Sequence, residues 1–279
     1  MSILLFLLNS VCYAGQSATG KQYAAKGGQA IHFNIAKVFS AVVMFAIWIL
    51  VQGNGLHLHT LPYAAGYGCV LAISLYAGFK ALSCGPMALT SVLVSMSLLI
   101  PFFWGFVFWE ETIGTPAIVG LFCIVFAIFL IQFKKSGTIS AKWILYTVIT
   151  MVANGFASVI QKYHQSAYPG RFQVDFMLIA MAVAGIPTLL SIVFQKDKRI
   201  KFHWLGIGSG ILNGLANFIV LLLSANQDAT VLFPLISTAN VMAAWLTGIL
   251  FFKEHIHWRQ VCGLLAGIAG ILLLTYHAF

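Results

Sequence analysis

Polar side chains recur at helical spacing inside stretches that are otherwise apolar, and they carry most of the chemistry this chain can offer. Asn9, Tyr13, Gln16 and Gly20 share one helical face. Asn154, Ser158 and Gln161 form a second stripe. Gly210, Asn213, Gly214, Asn217 and Ser224 form a third, and Ser237, Asn240, Ala244 and Gly248 a fourth. Ser91, Ser95 and Ser97 lie in another apolar run; Cys69, Tyr76 and Lys80 in yet another. Amides and hydroxyls are costly in lipid, so they face a bundle interior or a water-filled cavity. Taken singly, each is explained by hydrogen bonding between helices, worth about 0.6 kcal/mol on average. Taken together, they offer reversible hydrogen bonds to a polar solute.

Two further groups could touch such a solute. Phe102, Trp104 and Trp245 sit deep in apolar runs. With Tyr13 and Tyr76, the two tryptophans could hold an organic cation over their ring faces; packing against lipid is their simpler use. Lys21 and Lys162 occupy matching places in the two halves, each four residues after a serine, Ser17 or Ser158. Either they snorkel from helix ends, or they place one cation at each mouth to attract a carboxylate or phosphate. Asp175, Asp228, Glu110, Glu111 and Glu254 all lie near the ends of apolar runs. A proton-coupled exporter of drug cations would keep an acid in the membrane core, so this distribution counts against one. The turn glutamates Glu111 and Glu254 read as helix caps or ion-pair partners, with gating as the sharper alternative.

Other chemistries are poorly supplied. His57-Leu58-His59 provides too few ligands for a metal site, and the five cysteines have no paired spacing. No phosphate-cradling loop followed by Lys is present, which argues against ATP-driven transport. Six scattered acids do not build a catalytic cluster at one interface. The reading is therefore no enzyme, no catalytic residues, no metal and no cofactor.

The elements that must position these residues are long apolar helices. The 279 residues are 61% hydrophobic and 8% charged, with a mean hydropathy of +0.95. A soluble domain carries about a quarter charged residues. Spans are expected near 2–20, 31–52, 61–81, 87–109, 115–133, 143–162, 173–195, 202–224, 230–252 and 258–277. The net charge of +9 sits in loops, which points to membrane orientation and anionic lipid rather than nucleic acid. Thirteen basic residues fall in odd-numbered loops, with Lys37 counted in its nearest loop; only Lys162 and Arg171 fall in even ones. The positive-inside rule then places both termini outside. Pro62 and Pro116 start spans, where a missing N–H costs nothing. Pro101 and Pro187 lie inside spans and should kink them. Gly263 and Gly267 form a small-residue pair suited to close packing within the bundle or to a homodimer contact.

The chain also repeats itself. Residues 86–131 laid on 229–274 without gaps give nine identities, among them Gly105/Gly248, Glu111/Glu254 and Gly120/Gly263. Five spans per half is an odd number, so the halves should enter the bilayer from opposite sides. The acidic turns Trp109-Glu110-Glu111-Thr112 and Lys253-Glu254-His255-Ile256, the run Gly78-Phe79-Lys80-Ala81-Leu82, and ten spans in two halves resemble the drug/metabolite transporter superfamily. They resemble its ten-helix EamA-type members in particular. The resemblance implies an all-α integral membrane fold with ten transmembrane helices in two inverted five-helix repeats, residues 1–138 and 139–279. It also implies alternating access through a cavity lined by helices 1, 3, 4, 6, 8 and 9, with helices 5 and 10 as scaffold. The polar stripes fall on helices of that set, which favours a cavity over isolated helix contacts. The expected substrate-binding residues are Asn9, Tyr13, Gln16, Tyr76, Ser95, Trp104, Asn154, Gln161, Asn213, Asn217, Asn240 and Trp245, with Lys21, Lys162, Glu111 and Glu254 in charge or gating roles. The expected function is a multi-pass secondary transporter in the cell membrane, moving a small polar or amphipathic metabolite. An organic-cation exporter with an aromatic site and a lipid or lipid-linked-sugar flippase are the alternatives. By resemblance to the family, the termini would lie inside, the reverse of the charge bias.

Overall fold

The computed structural model describes residues 2–26, 28–53, 55–84, 90, 93–132, 140–190, 203–252 and 258–275. Ten α-helices are seen there, and no strand occurs among these residues. They are α1 (Ser2–Ala25), α2 (Ala30–Gln52), α3 (Leu61–Cys84), α4 (Leu99–Phe108), α5 (Thr115–Gln132), α6 (Ala141–Ala167), α7 (Gln173–Leu190), α8 (Trp204–Leu223), α9 (Ala229–Phe252) and α10 (Trp258–Thr275). Six helical segments, carried by α2, α3 with the short turn before it, α6, α7, α8 and α9, are long and apolar enough to cross a bilayer. Those containing α4, α5 and α10 are apolar but shorter. Helix α1 has the length, 24 residues, but its amides and hydroxyls dilute its apolar character.

Helix boundaries follow local chemistry. Helix α2 stops at Gly53, whose φ of 67° is left-handed and whose N–H reaches the Leu50 carbonyl. Pro62 and Pro116 each occupy the second residue of their helix, where no N–H is required. The fourth span is not one unbroken helix. A 3-10 turn at Met96–Leu98 precedes α4, and Pro101 lies in the first turn of α4. A proline ring clashes with the carbonyl four residues earlier, here that of Ser97, which places the irregularity at that turn. Pro187 sits close to the end of α7, and Pro234 lies inside α9.

Contacts group the chain into two compact units: Met1–Tyr76 with Ile160–Ala225, and Ala77–Val159 with Asn226–Phe279. Each unit draws helices from both sequence halves. In the first unit, α2 packs on α7 and α8, and α1 lies along α8. Gly206, Gly210 and Gly214 of α8 form the α2 contact. A Cβ at 206 would meet that of Ala36 at 2.8 Å, and one at 210 would overlap the Lys37 carbonyl and the Ser40 hydroxyl. The Ser40 hydroxyl reinforces the approach by donating to the Ile207 carbonyl at 3.1 Å. Small residues at four-residue spacing let two backbones come this close.

In the second unit, α5 packs along α10, and α9 packs on α4. Its core is Leu98, Phe102, Leu121, Ile124, Ile128 and Val241. Gly267 of the expected small-residue pair meets Ala127, Thr238 and Met242, so within the chain it serves helix packing. Glu111 of the α4–α5 turn caps a helix, the first of its two expected roles. Its two carboxylate oxygens accept the backbone N–H groups of Ala229 and Thr230, both at 2.8 Å, at the start of α9. An anion at a helix N-terminus satisfies orphan donors and opposes the helix dipole. Glu254 and the Lys21 side chain lie outside the described residues.

Candidate solute site

Five helices of the first unit contribute to one hydrogen-bonded polar ladder. Lys37 of α2 donates its ammonium to Gln16 Oε1 of α1. Asn213 Nδ2 of α8 donates to the same oxygen at 3.2 Å. One turn further along α8, Asn217 Nδ2 donates to the Asn213 carbonyl at 2.9 Å. Tyr67 of α3 donates its hydroxyl to Asn217 Oδ1 at 2.9 Å, and Gln161 Nε2 of α6 reaches the Asn217 carbonyl at 3.4 Å. Tyr67 is 2% exposed and Gln161 3%, so these bonds meet a real need: unpaired polar groups at such burial are expensive.

The ladder residues lie at least six residues from either end of the helices that carry them. Lys37 is the eighth residue of α2, about 10 Å from its start at 1.5 Å per residue. Tyr67 is the seventh residue of α3, about 9 Å from its own start, which follows the loop at the other end of α2. Spans of this length match a hydrocarbon core of about 30 Å, so offsets of about 9–10 Å from the helix starts set Lys37 and Tyr67 inside the apolar stretches. Helix geometry explains the alignment. Gly206, Gly210 and Gly214 hold α8 against α2, so Asn213 sits at the height of Lys37, and Gln16 bridges the two.

Lys37 and Tyr67 are site residues that sequence reasoning misses. Counting Lys37 with its nearest loop overlooks that it lies seven residues inside an apolar run; that depth is the available signal. Tyr67 carries no signal beyond its polar tip in an apolar stretch.

The other expected residues have separate places. Asn9 is 1% exposed and donates to the Ala216 carbonyl at 2.9 Å, joining α1 to α8 without entering the ladder. Tyr13 and Tyr76 are exposed at 37% and 58%. Lys162 is half-buried on α6, where its carbonyl accepts the Ser166 hydroxyl. Ser95 precedes the 3-10 turn. Asn154, Trp104, Asn240 and Trp245 belong to the second unit. Trp104 stacks on Phe108 at 4.3 Å, and Trp245 packs against the Phe102 core. Asn240 Oδ1 and Trp245 Nε1 are buried without a partner. The aromatic residues put forward for a cation are thus divided between the two units. His57 does not join a metal set. Its backbone N–H donates to Asp175 Oδ1 at 2.9 Å, and its imidazole lies 3.7 Å from the same oxygen. Among the described residues no three His, Cys, Asp or Glu side chains gather as ligands.

A buried amide ladder across membrane-type helices is chemically suited to passing a polar solute. Residues 141–276, spanning α6 to α10, match the EamA-like transporter family. The match takes in 136 of the 279 residues, just under half of the chain. The family matched is one of transporters. An uncharacterized protein of Haemophilus influenzae is 22% identical over 193 residues, which is 65% of this chain. The match covers 64% of that relative's length. A solved crystal structure superposes with a TM-score of 0.80 at 15% identity, covering 97% of this chain and 98% of the other. At that identity the likeness is one of fold. The EamA-like match ends near the last described helix and covers one five-helix set.

Proposed function

We propose that this chain is a secondary transporter of the cell membrane that moves a small polar metabolite by alternating access. The carrying observation is the ladder of Lys37, Gln16, Asn213, Asn217, Tyr67 and Gln161. Intramembrane polar groups facing one another mark solute paths, and the amides can exchange partners with a solute at small net cost, because each bond made replaces one lost. Two five-helix halves of opposite orientation would give the site two exits. The EamA-like match to the second half supports this reading.

The experiment is solute flux in proteoliposomes, with solutes first chosen by thermal shift of the purified protein against amino acids, organic acids, amines, nucleosides and sugar phosphates. Binding to the folded state raises its melting temperature by mass action. Asn217→Leu should reduce flux at least tenfold while lowering stability by only about 1–2 kcal/mol, as expected for losing interhelical hydrogen bonds. Full flux through Asn217→Leu would remove the ladder from the solute path.

A further inference from the structure

We propose that the transported solute carries an anionic group, a carboxylate or phosphate, and that Lys37 receives it. This rests on the transport reading above and assigns the solute's charge class.

Lys37 presents an unbalanced charge. Its ammonium has three N–H donors, and among the described residues its partner is one neutral amide oxygen, Gln16 Oε1. That oxygen is already shared with Asn213 Nδ2. Within its own compact unit the one described carboxylate is Asp175. Asp175 is held at the opposite end of α2, where it binds His57 beyond Gln52. Fifteen residues separate Lys37 from Gln52, about 22 Å along the axis, well beyond a direct ion pair. Glu110, Glu111 and Asp228 belong to the other unit, and Glu111 is committed to the start of α9.

Such a charge is costly to keep in a membrane helix unless something neutralises it. Snorkelling does not explain its position. The residue lies about 10 Å inside α2, and its ammonium is bound to Gln16, itself nine residues before the end of α1.

The surrounding donors also suit an anion. An ammonium can only donate, so the Gln16 atom facing Lys37 is its oxygen, which leaves the Gln16 amide nitrogen as a further donor at the same place. The free groups at this end of the ladder are then the remaining ammonium hydrogens and an amide NH2. An anionic oxygen placed among them would balance the charge and use both. A compact, flexible ammonium attracts carboxylate and phosphate alike without fixing their orientation, so the two are separated by experiment.

The test uses thermal unfolding of the purified full chain with matched probes at equal ionic strength: lactate against lactamide, glycerol 3-phosphate against glycerol, and choline as the cation. At least one anion should raise the melting temperature by several degrees, with its neutral partner inert. The shift should vanish in Lys37→Gln and Lys37→Met and persist in Lys37→Arg. Without probe, Lys37→Met should melt no lower than wild type, since it removes an unpaired charge. In wild type, the stabilising anion should also slow acylation of Lys37 read by mass spectrometry, a measurement that does not depend on how well any variant folds. The proposal is overturned by the absence of a shift with every anion, by an anion shift that survives in Lys37→Gln, or by acylation of Lys37 unaffected by the anion. Flux of lactamide, glycerol or choline that is indifferent to Lys37→Arg and Lys37→Gln would overturn it while leaving transport intact. An anion that binds at Lys37 yet is not moved in proteoliposomes would instead overturn transport.

Discussion

Replacing Glu111 should loosen α9, and the size of the effect can be worked from its two bonds. Each carboxylate oxygen lies 2.8 Å from a backbone nitrogen, that of Ala229 or Thr230. Hydrogen bonds to charged groups contribute about 1.5–3 kcal/mol each, and losing a single helix cap costs about 1 kcal/mol. Water at a helix end recovers part of the loss, so Glu111→Ala should cost about 2–4 kcal/mol. Glu111→Gln keeps one carbonyl acceptor and should cost about half as much. For a chain of this size, each kcal/mol moves the melting temperature by about 2–4 °C. The alanine variant should therefore melt roughly 4–16 °C lower in thermal unfolding of the detergent-solubilised protein. Gly105→Ala provides an internal control. Glu111 Oε2 lies 2.5 Å from where a Cβ on Gly105 would stand, so the methyl would push the carboxylate off the helix. The two substitutions then disrupt the same pair of bonds, and although a Cβ at 105 also meets Thr230 Cγ2 at 3.1 Å, the double variant should cost clearly less than the sum of the two single ones. Strict additivity, or a Glu111→Ala loss under about 1 kcal/mol, would refute the capping argument. Lost flux at an unchanged melting temperature would make Glu111 a gate instead.

Asn9→Leu should lower stability by about 0.6 kcal/mol and leave flux unchanged, because Asn9 bonds the Ala216 carbonyl outside the ladder and its own oxygen has no partner; parallel unfolding and flux assays read the two effects separately. Reporter fusions at Phe279 should be active outside the cytoplasm, as the bias of basic residues toward odd-numbered loops requires. Activity confined to the cytoplasm would reverse that orientation.

The repeated Gly105/Gly248 and Glu111/Glu254 pairs are visible in the sequence, but their meaning is not. In the first half they form one device, a glycine that makes room and a glutamate that fills it. The Glu111 carboxylate reaches a helix 118 residues away. Asp228, directly before α9, is the acid that local reasoning would choose as the cap, yet the cap oxygens come from Glu111. Local preference favours any nearby acid; the one that binds is decided by which turn the packed helices bring to the N-terminus.

The membrane class and most helix positions are legible from sequence alone. The expected spans 61–81, 143–162 and 173–195 correspond to α3 at Leu61–Cys84, α6 at Ala141–Ala167 and α7 at Gln173–Leu190. Apolar run length is a property of the chain in one dimension, set by the thickness that must be crossed. The stripe containing Asn9 and Gln16 is equally legible, but the two amides meet different ends. Asn9 binds a backbone carbonyl of α8, while Gln16 joins Lys37 to Asn213. That outcome depends on what the neighbouring helices present at each height. The height is set by the close approach at Gly206, Gly210 and Gly214, which no periodicity within a single helix encodes. For the same reason Lys37 reads as a loop charge in sequence, and only the packing of α1, α2 and α8 places it at one end of a polar ladder.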